Sequence, residues 1–247
     1  MKYNLFITYW SSPDTVRNKE ILDTIEKNIQ LNVFDTITIF TESESKKDIK
    51  NIKDVEIIVD SRKTYQDIFD YSNLFFNDDE LINILANSDI EFTDTIKLLD
   101  KINKNDFIAL TRYNRETNNL ERSNLNEVSD TQDVWIWRGK TILTNCKFYL
   151  GVPGCDNKIA FKAFDTGYDV RNPSKSVVTY HNHLTNSRPG TSTVSCMRVE
   201  RPYCYLKPTT IDEEYILITE ELKATPINIR VEENQWKAFK NNYKEQP

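Results

Sequence analysis

Hydrophobic and polar positions along the first half of the chain form blocks that predict strands and helices in alternation. Runs rich in β-branched and aromatic residues predict strands, and apolar residues three or four positions apart predict helices. The predicted strands are Tyr3–Tyr9, Phe34–Phe40, Val55–Val59, Leu81–Ala86, Asp106–Thr111 and Val134–Trp137. The predicted helices are Asn18–Leu31, Lys46–Ile52, Tyr65–Phe76 and Thr93–Ile102, with Asp94 favouring the start of the last one. This order predicts an α/β sheet packed between layers of helices.

The second half of the chain has a weaker pattern. The segment Asn114–Asp130 is rich in Asn, Glu, Arg and Ser with little periodicity, which predicts a mobile loop or lid. The other predicted elements are helix Asp156–Phe164, strand Val177–His181, strand Tyr215–Ile218 and helix Asn234–Tyr243. We expect one domain over residues 1–200 and a C-terminal extension over 201–247 that packs on the same domain.

The composition fits a folded protein with a sizeable core, since 38% of the 247 residues are hydrophobic and 11% are aromatic. The formal net charge of −6 argues against a nucleic-acid binder, because such proteins need a basic surface for phosphates. The four cysteines form no CxxC pair, which argues against a zinc ribbon and favours free thiols in a reducing compartment.

The first ten residues do not have the pattern of a signal peptide. Their apolar run is interrupted by Thr8, and no small-residue cleavage site follows. No stretch of the chain approaches the roughly 20 apolar residues that a membrane helix needs. We therefore expect a cytoplasmic protein without a transmembrane segment.

Polar residues just after the predicted strands are the first candidates for a binding site, because ligands of α/β sheets bind at the carboxyl ends of strands. Tyr9 ends the first strand, Glu42 follows the second and Arg62 follows the third, with Tyr65 close behind it. The fourth strand ends in Asn87-Ser88-Asp89. For Arg17 and Arg112, a solvated charge is the stronger interpretation.

The Asn87-Ser88-Asp89 turn has two interpretations. A short acidic turn after a buried strand suits a divalent ion that holds a diphosphate, because hard cations prefer carboxylate, phosphate and water oxygens. An ordinary turn in which Asn and Asp bond to their own backbone is the alternative.

The chain has two histidines, His181 and His183, separated by Asn182. In an extended segment both rings lie on one face, where they can ligate a metal or bind a phosphate. Two polar residues at a strand end, without a ligand, are the alternative.

Two further carboxylates have candidate roles. Asp156 opens a predicted helix after a glycine-containing turn, where it is either a helix cap or a general base facing an acceptor hydroxyl. Asp133 precedes Trp135 and Trp137, and this group either binds a sugar or packs in the core.

Taken together, the segments from about Leu5 to Arg188 resemble the GT-A glycosyltransferases, and more narrowly the small stand-alone enzymes of some bacteria and large DNA viruses. The metal motif of that family is D-x-D after a central strand, where this chain has Asn87-Ser88-Asp89, so Asp89 carries over as a ligand. Many such enzymes continue with G-x-G-x-E-D at a helix start, a later glycine, and a histidine after the next strand. The corresponding residues here are Gly151, Gly154, Cys155-Asp156, Gly167, and His181 or His183.

The resemblance implies a GT-A, Rossmann-like fold with a mixed, mainly parallel sheet sandwiched by helices. It implies transfer of a hexosyl or deoxyhexosyl group from a nucleotide-diphosphate sugar, with a UDP-sugar as the expected donor and a glycan or glycoprotein as acceptor. The implied cofactor is Mn²⁺ or Mg²⁺, held by Asp89 with His183 or His181. The resemblance also implies two catalytic residues, Asp156 as the base and Asp133 as a ligand of the sugar. The residues implied to bind the donor are Tyr9, Glu42, Arg62, Tyr65, Asn87 and Ser88.

Three other functions stay open at this point. A nucleotidyltransferase also combines an α/β sheet with a metal, although such enzymes usually have a glycine-rich loop after the first strand, and residues 8–19 contain no glycine. A non-catalytic carbohydrate-binding protein would explain Asn87 in the metal motif. An α/β scaffold whose Asp and His residues bind nothing is the third.

Overall fold

The computed structural model describes residues 1–120, 129, 131–185 and 198–213, and the backbone of 217–219. The strands are β1 Lys2–Tyr9, β2 Thr36–Thr41, β3 Glu56–Val59, β4 Leu81–Asn87, β5 Ile90–Phe92, β6 Asp106–Thr111, β7 Tyr113–Asn114, β8 Gln132–Arg138, β9 Asp169–Arg171, β10 Thr179–His181, β11 Cys204–Leu206 and β12 Leu217–Thr219. The helices are α1 Thr15–Gln30, α2 Lys46–Ile49, α3 Tyr65–Phe75 and α4 Cys155–Asp165, with a 3₁₀ helix over Asp94–Lys101. Within the described ranges, no helix is long and apolar enough to cross a membrane.

The main sheet has seven strands in the order β3-β2-β1-β4-β8-β6-β9. Strands β1 to β4 are mutually parallel, and β8 runs antiparallel to both β4 and β6. The sheet is therefore mixed and mainly parallel, as predicted. Because β1, β2 and β4 are parallel neighbours, the residues that follow them meet at one edge of the sheet.

Apolar side chains cover both faces of this sheet. Along β1, Leu5 and Ile7 pack with Ile21 and Ile25 of α1 in one cluster, whereas Phe6 belongs to a second cluster on the opposite face. The second cluster contains residues of α3 and α4 and both central tryptophans of β8, namely Tyr65, Phe69, Trp135, Trp137, Ile159 and Ala160. Alternation along the strands thus places helices on both sides of the sheet.

The start of α1 differs from the prediction by one turn. Asp14 is the N-cap, and its side chain accepts hydrogen bonds from the backbone amides of Val16 and Arg17 at 2.9 and 3.2 Å. The helix therefore begins at Thr15 rather than Asn18. This extra turn brings Arg17 onto the buried face of the helix, four residues before Ile21.

Two other elements depart from the prediction. The segment predicted as helix Thr93–Ile102 is a 3₁₀ helix capped by the Thr93 side chain, with Asp94 in its first turn. The chain also forms a second, three-stranded sheet in the order β5-β10-β7. In this sheet β10, which ends at His181, pairs with β5, which directly follows the turn after β4.

The described part of the C-terminal region packs on the same sheet layers. Cys204 and Leu206 belong to the cluster that contains α4, and Leu206 accepts a hydrogen bond from the Ser129 amide at 3.0 Å. The division at residue 200 stays a prediction. The predicted helix Asn234–Tyr243 and most of the predicted lid, residues 121–128 included, lie outside the described residues.

Candidate functional site

A cleft of about 620 Å³ opens at the carboxyl ends of β1, β2 and β4. Six of the predicted binding residues line it, namely Tyr9, Glu42, Arg62, Asn87, Ser88 and Asp89. Trp10, Arg17, Lys63, Leu150 and Gly151 also line it, and none of these was predicted to bind a ligand from the sequence. The parallel strands explain the grouping, because their carboxyl ends share one edge.

Asp89 lines this cleft, and the two histidines come together with it behind the lining residues. Strand β10 pairs antiparallel with β5, so that His181 lies opposite Ile90, and the Asn182 amide donates to the Asp89 carbonyl at 2.9 Å. His181 Nε2 lies 3.1 Å from Asp89 Oδ2, and the rings of His181 and His183 are 5.2 Å apart. One ligand atom from each of the three side chains lies within 4.8 Å of the other two.

Asn182 fixes the histidine segment from its other face. Its side-chain amide donates to Thr24 Oγ1 of α1 at 3.0 Å and to Glu91 Oε2 of β5 at 2.9 Å. Glu91 is also paired with Lys27 at 2.8 Å and Arg115 at 3.0 Å. Alternation along the extended segment therefore directs Asn182 towards α1 and leaves both imidazoles facing Asp89.

Two of the three side chains, His183 and Asp89, have pKa values shifted towards the form that binds a metal. Burial, followed by the charges of Arg17 and His181, lowers the pKa of His183, which favours the neutral imidazole that binds a metal. For Asp89, burial raises the pKa, but the hydrogen bond and charge of His181 and the charges of Arg17 and Arg112 outweigh it. The pKa of Asp89 is held well below its usual range, so the carboxylate is ionised.

The two arginines expected to be solvated are instead paired inside the site. The Arg17 side chain is 6% exposed and bonds to Asp89 Oδ2, and the Arg112 side chain is 16% exposed and bonds to Asp133 Oδ2. The expectation of solvated charges was wrong for both. Arg17 sits on the buried stripe of α1, and Arg112 directly follows β6 at the ligand-binding edge. These two positions were the signals in the sequence that could have identified both arginines as members of the site.

Asn87 and Asp133 lie on neighbouring strands and touch. Asn87 Nδ2 donates to Asp133 Oδ1, while Arg112 bonds to the other carboxylate oxygen. Asp133 is 7% exposed and is therefore a buried carboxylate, whose charge is compensated by Arg112 and which accepts a further hydrogen bond from Asn87. The three residues form a second polar group beside the Asp89 cluster.

Tyr65 and the tryptophans of β8 are core residues. Tyr65 and Trp135 are 0% exposed and their rings meet edge to face at 5.0 Å, so neither lines the cleft. The prediction that Tyr65 contacts a nucleotide is therefore wrong for this conformation, as is sugar stacking on Trp135. The aromatic spacing in β8 reflects packing against α3 and α4.

Asp156 lies in the first turn of α4, after Gly154 in a left-handed conformation at φ 83°. Burial first, followed by the charges of Cys155, Asp156 and Asp133, raises the pKa of Tyr65 well above its usual value. Neither Asp156 nor Asp133 is among the residues that line the cleft.

The donor chemistry of the Asp89 cluster fits a divalent transition ion. Imidazole nitrogens suit transition ions, the Asp89 carboxylate suits Mn²⁺, and Mg²⁺ prefers an all-oxygen shell. Three protein ligands also leave coordination positions open for oxygens of a bound molecule. The residues present could thus hold Mn²⁺, with Asp89, His181 and His183 as its ligands.

No protein-family model matches the chain, and no curated protein matches it by sequence. By structure, it is similar to S. aureus TarS 1-349 in complex with UDP-GlcNAc, at 11% identity and a TM-score of 0.52, over 78% of this chain and 62% of that one. It is also similar to the mannosyltransferase PcManGT from Pyrobaculum calidifontis in complex with GDP-Man and Mn²⁺, at 11% identity and a TM-score of 0.50, over 75% and 58% of the two chains.

The chain spans less than two thirds of either neighbour, and the low identities limit the likeness to the fold. A third similar structure is the inositol-1-phosphate CTP transferase from T. maritima, at 8% identity over 76% of this chain and 92% of that one. Its TM-score of 0.46 is too low to carry an argument. The topology of the sheet and the two stronger neighbours agree, and the chain has the Rossmann-like α/β fold of the GT-A glycosyltransferases.

Proposed function

We propose that the chain is a metal-dependent glycosyltransferase that uses a nucleotide-diphosphate sugar. The observation that carries this proposal is the Asp89–His181–His183 cluster, whose Asp89 lines the 620 Å³ cleft. The cleft combines a candidate metal site with polar strand ends, as a ligand with a diphosphate and a nucleoside requires. The proposed reaction is transfer of a hexosyl or deoxyhexosyl group to a hydroxyl of a glycan or glycoprotein.

The proposed donor is a UDP-sugar, with its nucleoside towards Tyr9, Glu42 and Arg62. Two proteins of the same fold were solved with UDP-GlcNAc and with GDP-Man and Mn²⁺, which supports this class of donor. Arg62 is well placed for a base or phosphate, because it is exposed, stacks over the Tyr149 ring at 4.8 Å and donates to the Leu150 carbonyl at 2.7 Å. We place the reaction in the cytoplasm, where the free thiols of Cys146, Cys155 and Cys204 would stay reduced.

A divalent ion held by Asp89, His181 and His183 would stabilise negative charge on the leaving diphosphate. Arg17 adds a guanidinium group next to the cluster, and guanidinium groups bind phosphate oxygens bidentately. We assign Asp133 to sugar positioning rather than proton transfer, because both its oxygens already accept hydrogen bonds. Asp156 is the proposed base for the acceptor hydroxyl.

The test of donor binding is thermal unfolding with a panel of nucleotides and nucleotide sugars, each with and without Mn²⁺. A ligand that binds the folded state at 100 times its Kd stabilises it by roughly 2.7 kcal/mol, without any knowledge of the acceptor. We expect a Mn²⁺-dependent rise in Tm with one nucleoside diphosphate and its sugars, and no such rise in Asp89→Ala. The matched control is Asp94→Ala, which removes an exposed carboxylate five residues away.

The other functions predict different results in this assay and in an assay of pyrophosphate release. If no nucleotide raises Tm but glycans do, the carbohydrate-binding alternative replaces this proposal. If a nucleoside triphosphate and a sugar phosphate together release pyrophosphate, the protein is a nucleotidyltransferase. If nothing binds, the scaffold interpretation holds.

The role of Asp156 has a separate test. Asp156→Asn should keep donor binding within about two-fold and lower the release of nucleoside diphosphate by roughly 100-fold, because general-base catalysis contributes about 10²–10⁴-fold. Release is measured with saturating donor sugar and an acceptor mixture. Unchanged release would remove Asp156 from the mechanism.

A further inference from the structure

Arg17 is bonded to the carboxylate of Asp89, which the candidate metal site requires as a ligand. Its Nη2 bonds to Asp89 Oδ2, the same oxygen that lies 3.1 Å from His181 Nε2. Its Nη1 donates to the Asn182 carbonyl at 2.5 Å and to Glu20 at 3.1 Å. The guanidinium of Arg17 therefore connects α1, on which it lies, with the turn that contains Asp89 and with the segment that contains both histidines.

This position creates a conflict between two cations. A divalent ion bound to Asp89, His181 and His183 would lie close to the Arg17 guanidinium, and like charges at such distances repel strongly in a partly buried site. Arg17 is nevertheless among the residues that line the cleft, so a ligand there can reach it. A diphosphate beside the metal would offer Arg17 a new anionic partner of suitable geometry.

We propose that Arg17 is an exchangeable partner of Asp89, which it holds in the absence of ligand and leaves for a diphosphate oxygen when a divalent ion binds. The inference rests on the proposed function, because it assigns Arg17 to the diphosphate of the same donor. Arg112 remains with Asp133, since Asn87 and Arg112 each occupy one oxygen of that carboxylate.

The exchange makes binding of metal and nucleotide cooperative. Metal alone must displace Arg17 from Asp89 and leave the guanidinium without its partner. A nucleoside diphosphate alone must draw Arg17 away and leave Asp89 beside the histidines without its cation. When both bind together, each cation gains a new anion, so each ligand tightens binding of the other by the same factor.

The first experiment measures Mn²⁺ affinity without nucleotide, from the electron paramagnetic resonance signal of free Mn²⁺. We expect Arg17→Gln to bind Mn²⁺ about ten-fold more tightly than the unaltered protein, because the competing cation is gone. The matched control is Arg62→Gln, which removes the same charge from the same cleft but at a side chain bonded to the Leu150 carbonyl. Its Mn²⁺ affinity should change less than about two-fold.

The second experiment measures the affinity for UDP and for GDP with and without saturating Mn²⁺, by calorimetry. The factor by which Mn²⁺ tightens nucleotide binding should fall about ten-fold in Arg17→Gln, because only the direct metal–phosphate contact then couples the two ligands. An unchanged factor would overturn the inference, as would an unchanged or weaker Mn²⁺ affinity in the first experiment.

Two further outcomes of these experiments must be distinguished, namely a variant that fails to fold and a protein that binds no nucleotide. If circular dichroism shows that Arg17→Gln is unfolded, Arg17→Lys replaces it. A lysine cannot reproduce the forked contact, so we expect a smaller gain in Mn²⁺ affinity of about three-fold, and no gain overturns the inference. If neither nucleotide binds to any form, the proposed function fails, whereas the Mn²⁺ titration still decides whether Arg17 competes for Asp89.

Discussion

The site contains two arginine–carboxylate pairs that differ in their third partner. At one end, Asp89 is paired with Arg17 and accompanied by His181 and His183. At the other end, Asp133 is paired with Arg112 and accepts a hydrogen bond from the Asn87 amide. Both carboxylates lie at the edge of the sheet where β4 ends, and among the described residues a cluster of three possible metal ligands forms around the first of them.

The difference shows how two carboxylates at one edge of a sheet can have different partners and therefore different roles. The Asn87 amide and the Arg112 guanidinium each occupy one oxygen of Asp133, and the remaining lone pairs of these oxygens are left for a sugar hydroxyl. Asp89 is bonded to Arg17 and His181, and the neutral ring nitrogens of His181 and His183 can in addition offer lone pairs to a cation. The predictions below test whether the third partner decides the role of each carboxylate.

The largest expected difference is in metal binding by the two aspartates. Asp89→Asn should weaken Mn²⁺ binding by about 100-fold or more, because it removes the charged ligand of the cluster. Asp133→Asn should change the affinity by less than about three-fold, because Asp133 lies outside the cluster. Both affinities are measured by Mn²⁺ titration without nucleotide.

A comparable loss in both variants would contradict the division into two ends. It would indicate that Asp133 reaches the ion after a rearrangement of Arg112. His183→Ala serves as a positive control, since loss of one imidazole should also weaken binding about ten-fold or more.

The parallel half of the fold was predictable because its signals are local. Each of the strands β1 to β4 is a short apolar run, and the ends of β1 and β4 fall within one residue of the predicted ends. The start of α1 was missed by three residues because a single side chain, Asp14, caps it. The 3₁₀ helix after β5 shares the spacing of an α-helix over so short a segment, so periodicity could not distinguish the two.

The site was predictable where one strand end determined it, and less so where two distant segments meet. Asp89 and the histidines are separated by about ninety residues, and their approach depends on the antiparallel pairing of β5 with β10. The arginine pairs were missed for the same reason, since a charged residue in isolation is usually solvated. The aromatic residues of β8 were ambiguous because core packing and sugar stacking use the same residue types.

A second prediction tests how the contact between Asn87 and Asp133 contributes to stability. Asn87→Asp places a second carboxylate against Asp133 and removes the amide donor, so we expect a loss of about 1–3 kcal/mol in the free energy of unfolding. Asn87→Ala, which removes the donor without adding charge, should cost about 1 kcal/mol. Urea unfolding at pH 7 without metal measures both.

The double variant Asn87→Asp with Asp133→Asn moves the carboxylate from β8 to β4. It should recover most of the lost stability, because one amide and one carboxylate again face each other. If stability is not recovered, the Asn87–Asp133 contact does not determine the arrangement at this end.

The smallest expected effect separates two tyrosines that the sequence placed in the same binding role. Tyr9 lines the cleft, and its hydroxyl is bonded to Asn18 at 2.9 Å and Asp48 at 3.2 Å, which fixes the ring at the end of β1. Tyr9→Phe should therefore weaken Mn²⁺-dependent nucleotide binding by about two- to ten-fold, the equivalent of one hydrogen bond. Tyr65 is buried with its hydroxyl 3.7 Å from the Cys155 sulfur, so Tyr65→Phe should leave binding unchanged within about two-fold. Equal losses of affinity in the two variants, measured by calorimetry on proteins of matched Tm, would show that the core beneath the cleft, rather than its lining, controls the nucleotide site.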